Sequence, residues 1–111
     1  MNITMVKKIK LDGQPCAKSA RVLAILEERG LLHQIEQLVT ADERDFDSLG
    51  YVLATQYNVD SAPFFIVNND DGSTSIYKAY SRFLKEVFHQ EASEEEEIAE
   101  IMAQNPDLDF I

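Results

Sequence analysis

The sequence predicts an α/β fold. It reads as a mixed, four-stranded sheet flanked by helices, in the order β-α-β-α-β-β-α, with an acidic C-terminal helix appended. Three observations lead there. The chain has 111 residues, 45% of them hydrophobic and 27% charged, which suits one globular domain. Apolar spacing switches between strand and helix periods at the front, and a strand–helix–strand order implies a parallel pair with a right-handed crossover. Phe64-Phe65-Ile66-Val67 is the clearest buried strand, and a turn with a returning strand follows it as an antiparallel hairpin.

Each element has its own warrant. Residues 3–11 read as a strand, with Ile9 and Leu11 alternating against Lys8 and Lys10. Asp12-Gly13-Gln14-Pro15 is a turn by composition. From Cys16 to Arg29 the pattern is helical, with Ser19, Val22, Leu23 and Leu26 on one face. Arg29 and Gly30 supply a cationic end and a C′ glycine. Ile35 to Val39 is a short candidate strand. After Asp45, the residues Phe46, Leu49, Val52, Leu53 and Tyr57 recur at helical spacing, although Gly50 weakens that helix by about 1 kcal/mol relative to alanine. The hairpin spans residues 64–80, turning at 68–72. Ser81 is placed to N-cap a last core helix with Phe83, Leu84, Val87 and Phe88 as its apolar face.

Charge separates the chain into a body, residues 1–90, and an appendix, residues 91–111. Twenty acidic residues oppose ten basic ones, a formal charge of −10. All ten cations and eleven of the acids precede residue 86, and the other nine acids follow. So acidic a chain repels phosphate, which argues against nucleic acid and anionic membrane as partners. Apolar runs such as Ala62 to Val67 are far short of the roughly 20 residues of a membrane-spanning helix. Met1 to Lys8 lacks the apolar centre of a signal peptide, so a cytoplasmic protein is expected. In the appendix, Ser93 followed by Glu94-Glu95-Glu96-Glu97 is a capping-box helix start. Ile98, Ile101 and Met102 form a narrow apolar stripe beyond it, ended by Asn105-Pro106; so short a helix either docks on the body or on a protein partner, or frays into a disordered tail.

The chemistry-bearing residues are few. Cys16, the single cysteine, sits just before a helix with Lys18 in its first turn. A helix N-terminus and a nearby ammonium both favour the thiolate, and Ser19 lies one turn on, where its hydroxyl can donate to the sulfur. The competing reading is a small, inert, packed cysteine. The second element is Ser61-Ala62-Pro63, a proline at the entrance of the most apolar strand, where proline is tolerated and a cis bond is plausible. His33 and His89 have no partners at ligand spacing, so no metal site is expected. The 67–78 loop carries Val67 and Lys78 where an EF-hand needs oxygen ligands.

With Cys16-Ala17-Lys18-Ser19, the 57–67 tyrosine-to-proline-to-strand segment and this element order on the page, residues 3–90 resemble the thioredoxin fold. The resemblance is closer to its glutaredoxin-like, monothiol Cys-x-x-Ser branch. It implies Cys16 as nucleophile, Ser19 and Lys18 as its supports, a cis Pro63, and substrate backbone pairing at Ala62 and Pro63 beside Ser61. It implies no bound cofactor, with glutathione as a co-substrate and protein thiols or disulfides as partners. Two departures stand. The glycines that precede the last helix in glutaredoxins are replaced by Ala79-Tyr80-Ser81-Arg82. In a shifted register, Gly13 takes the nucleophile's place and Cys16 becomes the buried second cysteine. Two functions therefore stand side by side: a thiol–disulfide oxidoreductase acting through Cys16, and a redox-inactive module of this fold that binds protein.

Overall fold

The computed structural model describes residues 1–96; the expected stripe Ile98, Ile101 and Met102 and the stop at Asn105-Pro106 lie outside them. The chain divides into two compact units, the first Met1–Lys78 and the second beginning at Ala79. Among the described residues, no helix is long and apolar enough to cross a membrane.

The first unit is built on four strands: β1 (Asn2–Ile9), β2 (Gln37–Asp42), β3 (Phe64–Asn68) and β4 (Thr74–Tyr77). They lie in the order β2-β1-β3-β4. β1 runs parallel to β2 and antiparallel to β3, and β3 pairs antiparallel with β4. The sheet is mixed, as the element order predicts. α1 (Ala17–Glu28) makes the crossover from β1 to β2, and α2 (Leu49–Gln56) links β2 to β3.

β1 is interior and buried over Ile3-Thr4-Met5-Val6 on both faces. An interior strand covered on both sides shows no alternation, so the Ile9/Leu11 pattern marks only its fraying end. Leu11 lies outside the strand and is 70% exposed. On one face Val6 stands opposite Val39 and Phe64, in a cluster with Ala41, Val59 and Ile66 on which Leu53, Ala54 and Tyr57 pack. Ile3, Met5, Phe65 and Val67 alternate to the other face. The α2-side cluster contains no α1 residue, so the α1 crossover covers this second face.

α1 behaves as its sequence reads. Gly30 is left-handed at φ +70°; its N–H donates to Glu27 O at 3.0 Å and Leu31 N–H to Leu26 O at 2.8 Å. That pair of bonds is a Schellman stop. One residue of its face changes: Ile25 is buried with Ser19, Val22 and Leu26, while Leu23 lies at the edge of the stripe, half-buried.

Three boundaries move for non-local reasons. β2 starts at Gln37 rather than Ile35, because a 3-10 turn at Leu32–Gln34 takes Ile35 as its C-cap. Glu36 then brackets Ile3: its N–H donates to Ile3 O at 2.9 Å, and its carboxylate accepts from Ile3 N–H at 2.5 Å. From there β1 sets the register, Thr4 opposite Gln37 through Ile9 opposite Asp42. β4 ends at Tyr77, short of the expected Tyr80. In the second unit, α3 (Tyr80–Phe88) is capped by Ala79, so Ser81 falls in the first turn and is not the N-cap. Tyr80, Phe83 and Leu84 are all buried; burying one more aromatic outweighs a hydroxyl cap worth about 1 kcal/mol. The capping box expected at Ser93 is formed, with Ser93 Oγ accepting from Glu96 N–H at 3.2 Å and the Glu96 carboxylate accepting from Ser93 N–H at 3.3 Å.

The largest departure is α2. The expected face splits: Leu53 and Tyr57 pack on the core, but Phe46, Leu49 and Val52 are 76%, 59% and 49% exposed. Gly50 is the reason. A Cβ there would lie 2.2 Å from Ala41 N and 2.3 Å from Thr40 C, so the helix meets β2 backbone to backbone on its glycine side. That contact turns Leu49 and Val52 outward, while Phe46 lies in the turn before the helix. The glycine expected to weaken the helix is what seats it.

Candidate functional site

The site begins with a short loop between β1 and α1. Lys10 N–H donates to Gln14 O and Gly13 N–H to Lys10 O, both at 2.9 Å. Asp12 Oδ1 accepts from Gln14 N–H at 2.9 Å, a side-chain turn of the kind aspartate favours. Gly13 takes φ +82°, a conformation other residues adopt at a penalty. The loop folds Pro15 back against Ile9 in an isolated bridge.

That return delivers Cys16 to the N-cap of α1, half-buried, with no side-chain capping bond. Its N–H donates to Lys8 O at 2.9 Å. Ser19, one turn on, is 1% exposed, and its Oγ accepts from Lys8 N–H at 3.1 Å. Both ends of Cys16-Ala17-Lys18-Ser19 are therefore pinned to one residue of β1. Cys16 holds the accessible position of the motif and Ser19 the buried one. The Ser19 hydroxyl closes the strand–helix joint; among the described residues no hydrogen bond links it to the Cys16 sulfur.

Lys8, read from the sequence only as a polar position of the first strand, is the hub. It shares Val6's face of β1, and its ammonium lies 2.6 Å from the Glu43 carboxylate. That hydrogen bond is the main reason its pKa is raised above the usual lysine value; burial opposes the rise, and the charges of Glu43, Tyr51 and Cys16 add to it. Glu43 is lowered by the same contact, against its own desolvation. Cys16 is thus one of the groups whose charge Lys8 registers, whereas the sequence suggests Lys18 as the cation beside the thiol. Lys18 itself is half-buried in the first turn of α1.

Lys8 also lines a groove of about 320 Å³ with Tyr51, Asp60, Ser61, Ala62 and Phe64. The Ala62–Pro63 bond is cis. The β1–β3 ladder ends at Val6 opposite Phe64, so the backbone of Ser61 and Ala62 extends past the paired strand along the groove. Ser61 and Ala62, expected to contact substrate, therefore line the same cavity as Lys8; Pro63 and Cys16 are not among its lining residues, and Cys16 is joined to Lys8 through that residue's backbone carbonyl. The cluster of Lys8, Glu43, Tyr51 and Asp60 escaped the sequence reading because parallel register, not spacing, brings it together. Its only local signal was a lysine at an inward position of a strand.

A second, wider depression of about 450 Å³ lies in the second unit, lined by Ser81, Arg82, Lys85, Glu86, Glu91 and Ala92. Its Arg82 and Glu86 are paired across one helical turn at 2.5 Å, and no thiol or histidine lines it. The groove beside Lys8 is the better candidate. Neither a protein-family model nor a curated protein nor a solved structure matches this chain.

Proposed function

We propose that the protein is a small glutaredoxin-like thiol–disulfide oxidoreductase of thioredoxin-like fold, acting through the single nucleophile Cys16 on mixed disulfides. One arrangement carries this reading. A half-buried cysteine caps a helix at the residue, Lys8, whose side chain borders a groove edged by unpaired backbone before a cis proline. The strand order and pairing also support it.

The chemistry balances with glutathione as reductant. The Cys16 thiolate attacks one sulfur of a mixed disulfide R–S–S–G. A Cys16–S bond forms, the S–S bond breaks, and R–S⁻ leaves to take a proton from water. A glutathione thiolate then attacks the Cys16-bound glutathionyl sulfur, forming glutathione disulfide and restoring Cys16. Lys8 offsets negative charge at the reacting sulfurs. Ser61 and Ala62 align the substrate backbone beside Pro63 as an added strand would. Such a cycle needs a compartment that holds reduced glutathione, as the cytoplasm does.

The test is turnover of the 2-mercaptoethanol–glutathione mixed disulfide, coupled to reduction of glutathione disulfide. Wild type is expected to turn over and Cys16→Ser to be inactive. Equal rates for the two proteins, or none for wild type, would defeat the proposal. One observation favours the second reading, a redox-inactive binding module. Ser19 Oγ serves Lys8 N–H and leaves the sulfur without the hydroxyl donor expected of the motif.

A further inference from the structure

The turn before α2 adjoins the groove. Phe46 meets Tyr51 edge to face, with ring centroids 5.3 Å apart at 71°, a favourable aromatic geometry. Tyr51 lines the groove with Ala62. From the groove, apolar surface therefore continues through Tyr51 to Phe46, in the turn before α2; on the helix itself Leu49 and Val52 are exposed as well. Three large exposed apolar side chains within seven residues are more than scattered surface residues.

The charge around these side chains has one sign. Asp45 and Asp47 flank Phe46, and Asp60 stands on the groove. The local cations are already engaged, Lys8 with Glu43 and Arg44 with Asp42 at 2.8 Å. Among the described residues, none of these three aspartates has an ion-pair partner. An apolar strip bordered by uncompensated carboxylates complements a segment with apolar side chains and lysine or arginine beside them.

We propose that the substrate of the groove is a protein mixed disulfide whose cysteine lies in a cationic, apolar segment, read by Phe46, Leu49 and Val52 together with Asp45, Asp47 and Asp60. This rests on the function proposed above and names its substrate class. Glutathione alone, a tripeptide with two carboxylates, has neither the length nor the charge for this strip.

Three disulfides test it, each a mixed disulfide with glutathione. They are a short peptide with lysines, leucine and phenylalanine around its one cysteine, the same peptide with glutamate and serine at those positions, and 2-mercaptoethanol. Wild type is expected to show kcat/KM about tenfold higher for the cationic peptide than for the acidic one. Phe46→Ser/Leu49→Ser is expected to reduce that preference to about twofold or less while turning over the 2-mercaptoethanol disulfide as wild type does. Equal rates on both peptides in wild type, or a preference kept in the double variant, would overturn the inference. If no disulfide turns over, the chemistry assigned to Cys16 is wrong, and the surface is read by fluorescence anisotropy of the cationic peptide with serine in place of cysteine. Binding about tenfold weaker to the double variant then supports the docking surface, and equal binding overturns it.

Discussion

α1 and α2 cover the same sheet by opposite means. α1 buries a stripe of side chains, Val22, Ile25 and Leu26, and ends on a glycine stop. α2 is shorter, buries only Gly50 fully, and leaves Leu49 and Val52 largely in water. One helix is held by interdigitated side chains and the other by backbone approach. The lesson concerns where apolar surface is available. A helix seated by its glycine keeps large side chains over for recognition, and this one borders the candidate groove.

The sharpest way to break that comparison is Gly50→Ala. In α1 an added methyl on the outer face would be harmless, but at Gly50 the Cβ meets Thr40 and Ala41 backbone that cannot give way. A loss of about 3 kcal/mol is expected, read as a lowered urea midpoint with unchanged slope. A wild-type midpoint would mean that α2 is not seated as described.

Ser19→Ala addresses the joint between α1 and β1. It leaves Lys8 N–H buried without its acceptor, with an expected loss of about 1–3 kcal/mol. A structural joint predicts this loss equally in Cys16→Ser/Ser19→Ala and in the single variant. A loss that vanishes in the Cys16→Ser background would instead assign the hydroxyl to the sulfur.

The smallest effect lies in the ion pair on the α2 side. Glu43 is lowered in the fold by Lys8, so its contribution is present above the unfolded glutamate pKa of about 4.3 and fades as pH falls through the folded value. Lys8 is raised, so its share is lost only as pH climbs through its folded pKa, above about 10.4. Between these limits the pair is intact. Glu43→Gln is expected to flatten part of the stability loss below about pH 4.3 without changing the loss contributed by Asp42, whose pKa is lowered to about 2 by Arg44. An acid limb identical to wild type would remove the pair from the fold's electrostatics.

Much of the molecule was legible locally. The C-terminal stop of α1 at Gly30, the hairpin after Phe64 and the capping box at Ser93 depend on neighbours within a few residues, so composition and spacing reveal them. Cys16 at a helix start and Pro63 before a buried strand were legible for the same reason. The errors fall where partners are distant. The start of β2 follows from Glu36 bracketing Ile3, and the outward turn of Leu49 and Val52 follows from Gly50 against Thr40 and Ala41.

By itself the sequence determined the element order, the mixed sheet, the sign and location of charge, and the two short segments that carry chemistry, because periodicity and backbone restrictions act over a few residues. Tertiary structure alone decided that Lys8 holds both Cys16 and Ser19, that Glu43 faces Lys8, and that Ser61 and Ala62 share a groove with Tyr51. Those neighbours are set by parallel register and by how closely a helix can approach a strand, and neither leaves a trace in local spacing.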